Sequence, residues 1–222
     1  PPYARQRFST WFKRRRSAGT TVTPVAEARG RHETAVLFPT CIVEYQAPEV
    51  GHDLVKVCER NGISCELPEG QVCCGAPWLH SGDVDRFVAQ GKKNVAVLAQ
   101  ALREAGPDAT VVVPQPTCSY VLKKDYVDYV GGADAELVAQ RTRDAAEYLM
   151  ELHKADGGTP LDTEFAGEVP DAITYHAPCH LRAQNIGLKS RDLLKLTGTK
   201  ITVVSECSGI DGTWGLRAEN YD

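Results

Sequence analysis

The sequence predicts an α/β protein made of two pseudo-repeated Rossmann-like βα units, with cysteines on loops at the C-terminal ends of strands and the second unit truncated. Three observations carry this. Apolar runs of strand length alternate with amphipathic stretches of helical spacing. A cysteine follows closely on several of the strand-like runs. The order strand, cysteine, helix, strand, Cys-x-Gly then occurs twice along the 222 residues, and internal repeats are to be weighed before other patterns.

Thr34-Ala35-Val36-Leu37-Phe38 reads as a buried strand, broken by Pro39 and followed by Cys41. Val50, Leu54, Val57 and Cys58 then keep helical spacing until Asn61-Gly62 stops the helix. A short strand over 63–67 turns at Pro68-Glu69-Gly70 into Cys73-Cys74-Gly75, where glycine supplies a backbone conformation closed to bulkier residues. A long helix is expected over 83–105, with Phe87, Val95, Leu98 and Leu102 inward and Gly106-Pro107 at its end. The strand Thr110-Val111-Val112-Val113 delivers Cys118, and a single helix is expected over 133–154. In the second unit Ile173-Thr174-Tyr175 matches Ala35-Val36-Leu37, and His176-Ala177-Pro178-Cys179 matches Phe38-Pro39-Thr40-Cys41. After a helix holding Leu193, Leu194 and Leu196, the strand 201–204 leads to Cys207-Ser208-Gly209. The leading cysteines precede the paired positions by 32 and 28 residues. The first unit continues to a third strand and Cys118; the second ends before one, so the chain is expected to be a fragment of a longer polypeptide. The expected division is a basic linker over 1–31, a first half over 32–155, a linker over 156–168 and an incomplete second half over 169–222.

Composition narrows the function. A chain of this length that is 42% hydrophobic builds a core without covalent staples, and eight cysteines are too sparse for a secreted disulfide scaffold. No secretory signal or membrane-spanning run is present, so a cytoplasmic location is expected, with a peripheral place on the inner face of the membrane as a further option. Residues 1–20 hold six cations and no acid, so the formal net charge of −4 leaves −10 on the remainder. The basic stretch is interleaved with Phe8, Trp11 and Phe12, a pattern suited to anionic lipid or nucleic acid, although a linker is the simpler reading. The acidic body argues against nucleic acid as a partner.

Cysteine-bearing loops at one sheet edge let ligands distant in sequence converge. Cys41, Cys73, Cys74 and Cys118 supply the four thiolates that an iron-sulfur cluster or a structural zinc requires. Adjacent cysteines diverge along an extended chain and suit different irons of one cluster better than a single ion. Zinc at the first site stays open on this reasoning. Cys58 and Cys65 fall at positions of small buried hydrophobes. His176 and His180 bracket Cys179 and are placed to donate hydrogen bonds beside a cluster. Gly75, Gly209, Gly212 and Gly215 suit backbone amides approaching it or plain turns, and Tyr120 and Trp214 suit shielding. Lys123 and Arg182 read as solvated surface. No serine nucleophile, paired carboxylates or phosphate loop emerges.

The motifs Leu37-Phe38-Pro39-Thr40-Cys41, Pro48-Glu49-Val50-Gly51, Pro68-Glu69-Gly70-Gln71-Val72-Cys73-Cys74-Gly75 and Thr117-Cys118 resemble the cysteine-rich CCG domain. That family includes the B subunit of heterodisulfide reductase and iron-sulfur subunits of lactate, glycolate and anaerobic glycerol-3-phosphate dehydrogenases. The second half, through His176-Ala177-Pro178-Cys179-His180, the run from Cys207 to Gly215, and Glu219-Asn220-Tyr221, resembles the iron-sulfur component of the last of these. The resemblance implies an iron-sulfur cluster, of [4Fe-4S] type, on Cys41, Cys73, Cys74 and Cys118, with Cys179 and Cys207 as cofactor-binding positions of a second site. It implies as partners a flavin dehydrogenase subunit, a ferredoxin-like domain and a quinone or membrane subunit, and no catalytic side chain of the chain's own. In the heterodisulfide reductase branch each motif closes with a further cysteine and cleaves a disulfide. This sequence has Val121 where that fifth cysteine falls, and Ser208 in place of the second cysteine of the second pair. A hydroxyl ionises far less readily than a thiol, whose reference pKa is about 8.5. Electron relay is therefore the expected role, against a disulfide-reducing enzyme or a structural zinc scaffold, and the second site is expected to be empty or poorly ordered.

Overall fold

The computed structural model describes residues 3–28, 31–156, 158–209 and 218–220. Helix α1 (Phe8–Ser17) precedes β1 (Thr34–Leu37), α2 (Thr40–Tyr45), α3 (Pro48–Arg60) and β2 (Ser64–Glu66). Next come α4 (Ala76–His80), α5 (Val84–Ala105), β3 (Ala109–Val113) and α6 (Pro116–Tyr120). A π-helical stretch, Val121–Asp125, joins α6 to α7 (Tyr126–Tyr129). Helix α8 (Ala133–Gln140), β4 (Thr142–Asp144) and α9 (Ala145–Lys154) complete the first unit. The second holds β5 (Ala172–His176), α10 (Cys179–Ala183), α11 (Lys189–Lys195) and β6 (Lys200–Val204).

The first sheet is parallel throughout, in the order β2-β1-β3-β4. Alternate side chains of its central strands enter opposite cores, as the two-residue period of a strand requires. Val36, Val111 and Val113 pack with Phe87, Leu98 and Leu102 of α5 on one face. Ala35, Leu37 and Val112 pack with Val55, Cys58 and Leu149 on the other. Burial on both faces explains why these strands read as unbroken apolar runs. The chain winds outward from β1 to β2 and, on the other side, from β3 to β4, so the switch point lies between β1 and β3. In the second unit β5 pairs with β6 in parallel, Ala172 opposite Lys200 and His176 opposite Val204, repeating the pairing of β1 with β2.

Four expectations change. The single helix over 133–154 is broken by β4, because Thr142, Arg143 and Asp144 pair with β3. Asp144 then restarts the helix through a capping box, its carboxylate accepting from the Ala146 N–H while Glu147 accepts from the Asp144 N–H. The stretch expected as a basic linker contains α1, whose Phe8 and Phe12 stand one turn apart and are buried in the second core. Arg15 of α1 also pairs with Glu59 of α3, both side chains largely buried. Lys123 is not solvated surface: it forms a buried ion pair with Glu147. The leading cysteines and Cys118 sit in short helices rather than loops, since Cys41, Cys118 and Cys179 fall within α2, α6 and α10. Pro116 at the start of α6 is compatible with an immediate helix after β3, because its missing N–H falls where a helix has no intrahelical partner.

Burial pushes the Asp144 carboxyl up to about 6, against the hydrogen bond it accepts from Ala146. Its folded pKa thus exceeds its unfolded one, so the fold is favoured with Asp144 protonated and loses that stability as pH rises from about 4 through 6. In Asp144→Asn the amide oxygen still caps α9. Urea unfolding at several pH values should show the variant losing less stability than the parent across this window, by up to about 3 kcal/mol. Parallel pH profiles would rule this assignment out.

Candidate metal centre

Three strands carry the four thiols of the first unit to one edge of the sheet. Cys41 follows β1, Cys73 and Cys74 follow β2, and Cys118 follows β3. Cys41 and Cys118 thus flank the switch point, where open α/β sheets leave a crevice outside their strand ends. The thiols form a row. Cys118 Sγ lies 3.3 Å from Cys74 Sγ, and Cys41 and Cys74 neighbour the Cys73 thiol. Stabilisation of its thiolate by these two thiols holds Cys73 far below the ordinary thiol range, helped by the Gly75 N–H, while Cys41 and Cys74 are driven up. For Cys41 the main cause is its hydrogen bond to Cys73, and for Cys74 its contact with Cys118. Cys74 and Cys118 are buried, Cys73 is half-buried and Cys41 is exposed. Among the described residues, no group of three or more His, Cys, Asp or Glu is gathered to hold one metal ion.

The backbone around the row is tightly held. Asn94 of α5, fully buried, accepts from the Val72 N–H at 2.9 Å, and its Nδ2 lies 3.1 and 3.2 Å from the carbonyls of Val72 and Cys73. The same nitrogen donates to the Tyr126 hydroxyl at 2.9 Å, which in turn donates to the Cys74 carbonyl at 2.9 Å. Gln71 reaches back to the carbonyls of Leu37 and Pro68, both at 3.0 Å, tying this loop to the end of β1. Gly75 takes φ 90°, and a Cβ there would stand 2.8 Å from the Phe87 ring. Both facts restrict the position to glycine. Thr40, just before Cys41, is a buried β-branched residue at φ 65°, a conformation that costs about 1–3 kcal/mol and collects at functional sites. Beside Cys41 and Cys73 a cavity of about 450 Å³ opens, walled by Phe38, Pro39, Tyr45 and Leu67 and bordered by Lys13.

The second-unit positions are arranged differently. Cys179 opens α10 and Cys207 follows β6, and both are exposed. The Cys207 sulfur accepts a hydrogen bond, 3.4 Å, from the Gly209 N–H. Ser208 is exposed. His176 places Nε2 2.9 Å from the Glu206 carbonyl, which fixes that nitrogen as the protonated one. His180 turns to the first unit instead. Its Nδ1 lies 3.1 Å from Thr117 Oγ1, beside Cys118, and its ring contacts those of His80 and Tyr120. The expected shielding by Trp214 and the approach of Gly212 and Gly215 fall outside the described residues. Asn94, Tyr126 and Gln184 belong to no motif that singles them out in the sequence, while Gln71 lies in the Pro68-to-Gly75 motif without a role of its own there. For Asn94 a signal is nonetheless present: an amide on the apolar face of α5, seven residues after Phe87 and four before Leu98.

Residues 35–123 match the family described as the cysteine-rich domain, CCG, and this span contains all four thiols of the row. The chain is 29% identical over 224 positions to the C component of the anaerobic glycerol-3-phosphate dehydrogenase of Escherichia coli K12, covering all of this chain and 52% of that protein. The chain thus spans about half the length of that relative. It is 30% identical to lactate utilization protein A of Bacillus pumilus, over 83% of this chain and 69% of that protein. It is 28% identical to an uncharacterized iron-sulfur protein of Methanococcus maripaludis, over 82% of this chain and 33% of that one. No solved structure matches it. With its row of thiols inside the matched span, and a relative aligned over most of both lengths, the chain belongs to the cysteine-rich CCG domain family.

Proposed function

We propose that the chain is an electron-transfer module of an iron-sulfur oxidoreductase, in which Cys41, Cys73, Cys74 and Cys118 hold a single cluster of [4Fe-4S] type. The observation that carries this reading is the row of four thiols at the switch point, with Cys118 and Cys74 3.3 Å apart. An all-sulfur donor set is the set that such clusters take. The adjacent pair Cys73-Cys74 suits different irons of one cluster better than a single zinc, whose cysteines are commonly spaced by two to four residues. When bound, the cluster supplies one-electron redox chemistry, and the chain's own residues set its position and surroundings. Asn94 and Tyr126 hold the Cys73-Cys74 backbone, Gly75 directs an N–H at the Cys73 sulfur, and the buried Cys74 and Cys118 keep one side of the site dry.

The relatives include a dehydrogenase subunit and an iron-sulfur protein, which supports placing the module in a multi-subunit enzyme. A flavin dehydrogenase subunit is the proposed donor, a ferredoxin-like domain the companion relay, and a membrane quinone the acceptor, at the inner face of a cytoplasmic membrane. A second reading, reduction of a bound substrate such as a disulfide, is favoured by the 450 Å³ cavity beside Cys41 and Cys73. Val121 weighs against it. The residue at the position of the fifth cysteine is 1% exposed and packed in the core, so it offers no ligand for an additional iron.

Anaerobic reconstitution with iron and sulfide should yield about four of each per chain, with visible absorbance and a reducible EPR signal. Cys74→Ser and Cys118→Ser should each abolish most of that incorporation. A colourless product holding one zinc and no sulfide would overturn the proposal. Tyr126→Phe leaves the Cys74 carbonyl and the Asn94 amide without their shared partner, at an expected cost of about 1–3 kcal/mol in urea unfolding. The same variant should take up cluster more slowly. Unchanged stability would show that the hydroxyl does not brace the loop.

A further inference from the structure

Of the six cations in residues 1–20, only some are used inside the fold. Arg15 is committed to the buried pair with Glu59, and Lys13 pairs with Glu69. Arg5, Arg7, Arg14 and Arg16 are exposed and form no ion pair among the described residues. Four unneutralised cations therefore lie along and just ahead of α1, while residues 21–222 carry a net −10. Glu44 and Glu69 also border α1, through Ser9 and Lys13, but the four arginines leave the stretch net positive and attractive to an anionic surface.

The surroundings of α1 indicate what kind of surface. Phe8 and Phe12, which alone would suggest insertion, are buried in the protein's own core. The apolar groups left outside lie next to the cations: Tyr3 is 77% exposed, Ile42 41% and Tyr45 39%. The tyrosines meet the cations directly, since the Arg7 guanidinium sits 5.1 Å above the Tyr45 ring and the Tyr3 and Tyr45 rings meet edge to face at 6.4 Å, and Ile42 lies about one turn from Tyr45 on α2. Arginine mixed with tyrosine and an aliphatic side chain suits the boundary between headgroups and acyl chains, where a polar tip and an apolar body are both satisfied. Four exposed arginines within residues 5–16 also match the number at which anionic lipid recognition begins. Tyr45 and Lys13 belong both to this patch and to the border of the cavity that ends at Cys41 and Cys73.

We propose that α1 and the adjoining Tyr3, Ile42 and Tyr45 form a docking surface for an anionic lipid leaflet, with the chain lying on the headgroups and the cavity beside Cys41 opening at the same edge. This deepens the reading above by naming the surface that would meet a membrane-held acceptor, yet it requires no cluster to be in place.

Co-sedimentation of the whole chain with vesicles tests it. Phosphatidylcholine mixed with phosphatidylglycerol at about 2:1 should bind the chain, and phosphatidylcholine alone should not. Substituting Arg5→Gln, Arg7→Gln, Arg14→Gln and Arg16→Gln together should weaken binding by about tenfold or more, with an unchanged urea midpoint. Raising the salt should release the unaltered chain, a result that needs no substitution. Failure to bind the mixed vesicles, or equal binding by the substituted chain, would overturn the proposal. So would retention on polyglutamate without vesicle binding, which would assign the patch to an acidic protein. Iron, sulfide and visible absorbance measured on the same preparations report the cluster separately, so either reading can fail without the other.

Discussion

The geometry of the candidate centre depends on one buried amide. Asn94 contacts the backbone of both Val72 and Cys73 and passes a hydrogen bond through Tyr126 to Cys74. A loop without regular structure has no ladder to satisfy its own backbone, and buried backbone groups left unpaired are costly. Asn94 and Tyr126 stand in for that ladder. They come from helices packed on one face of the sheet, so the position of the paired cysteines is inherited from the packing of α5 and α7.

The other thiols are placed by more local constraints that converge on the same edge. Gln71 ties the loop to the end of β1, and Thr40 holds an unfavourable backbone conformation where the chain turns from β1 into α2. At Gly75 the φ and the Phe87 ring together exclude any side chain. Thr40 opposes local propensity outright, and Gly75 meets its constraint only by having no side chain. Strain of this kind persists only where the surrounding packing over-determines it, and here the packing is the two-faced core on either side of β1 and β3.

Much of this is legible in the sequence, for identifiable reasons. A strand buried on both faces leaves an unbroken apolar run, so β1 and β3 and the cysteines after them stand out, and so does the repeat. What stays hidden is information held in partners rather than periods. The helix expected over 133–154 carries a capping box, Asp144-Ala145-Ala146-Glu147, that marks a restart, but the apolar spacing on either side runs through it. Helix α1 is concealed by its charge, since its four cations outweigh two buried phenylalanines in any composition count. Asn94 sits at an inward position whose period is readable, but its hydrogen-bond partners, 21 to 32 residues away, are not.

The two units share a backbone plan but divide its chemistry. The strands of the second unit consist of exposed and half-buried residues and contain no buried one, whereas β1 and β3 are enclosed. Helix α10 is anchored by the buried Leu181 and lies against α6, the helix that carries Cys118. Gln184, just past its end, donates to Ser119 Oγ at 2.9 Å and approaches the Pro116 carbonyl, while His180 meets Thr117. Three residues around Cys118 are thus braced by the second unit. The histidines that bracket Cys179 part company, His176 to the Glu206 carbonyl of its own unit and His180 to the first. A residue that the repeat pattern assigns to the second cysteine motif is, in three dimensions, part of the wall of the first. Among the described residues, part of the support for the first candidate centre therefore comes from the copy that has Ser208 in place of its paired cysteine.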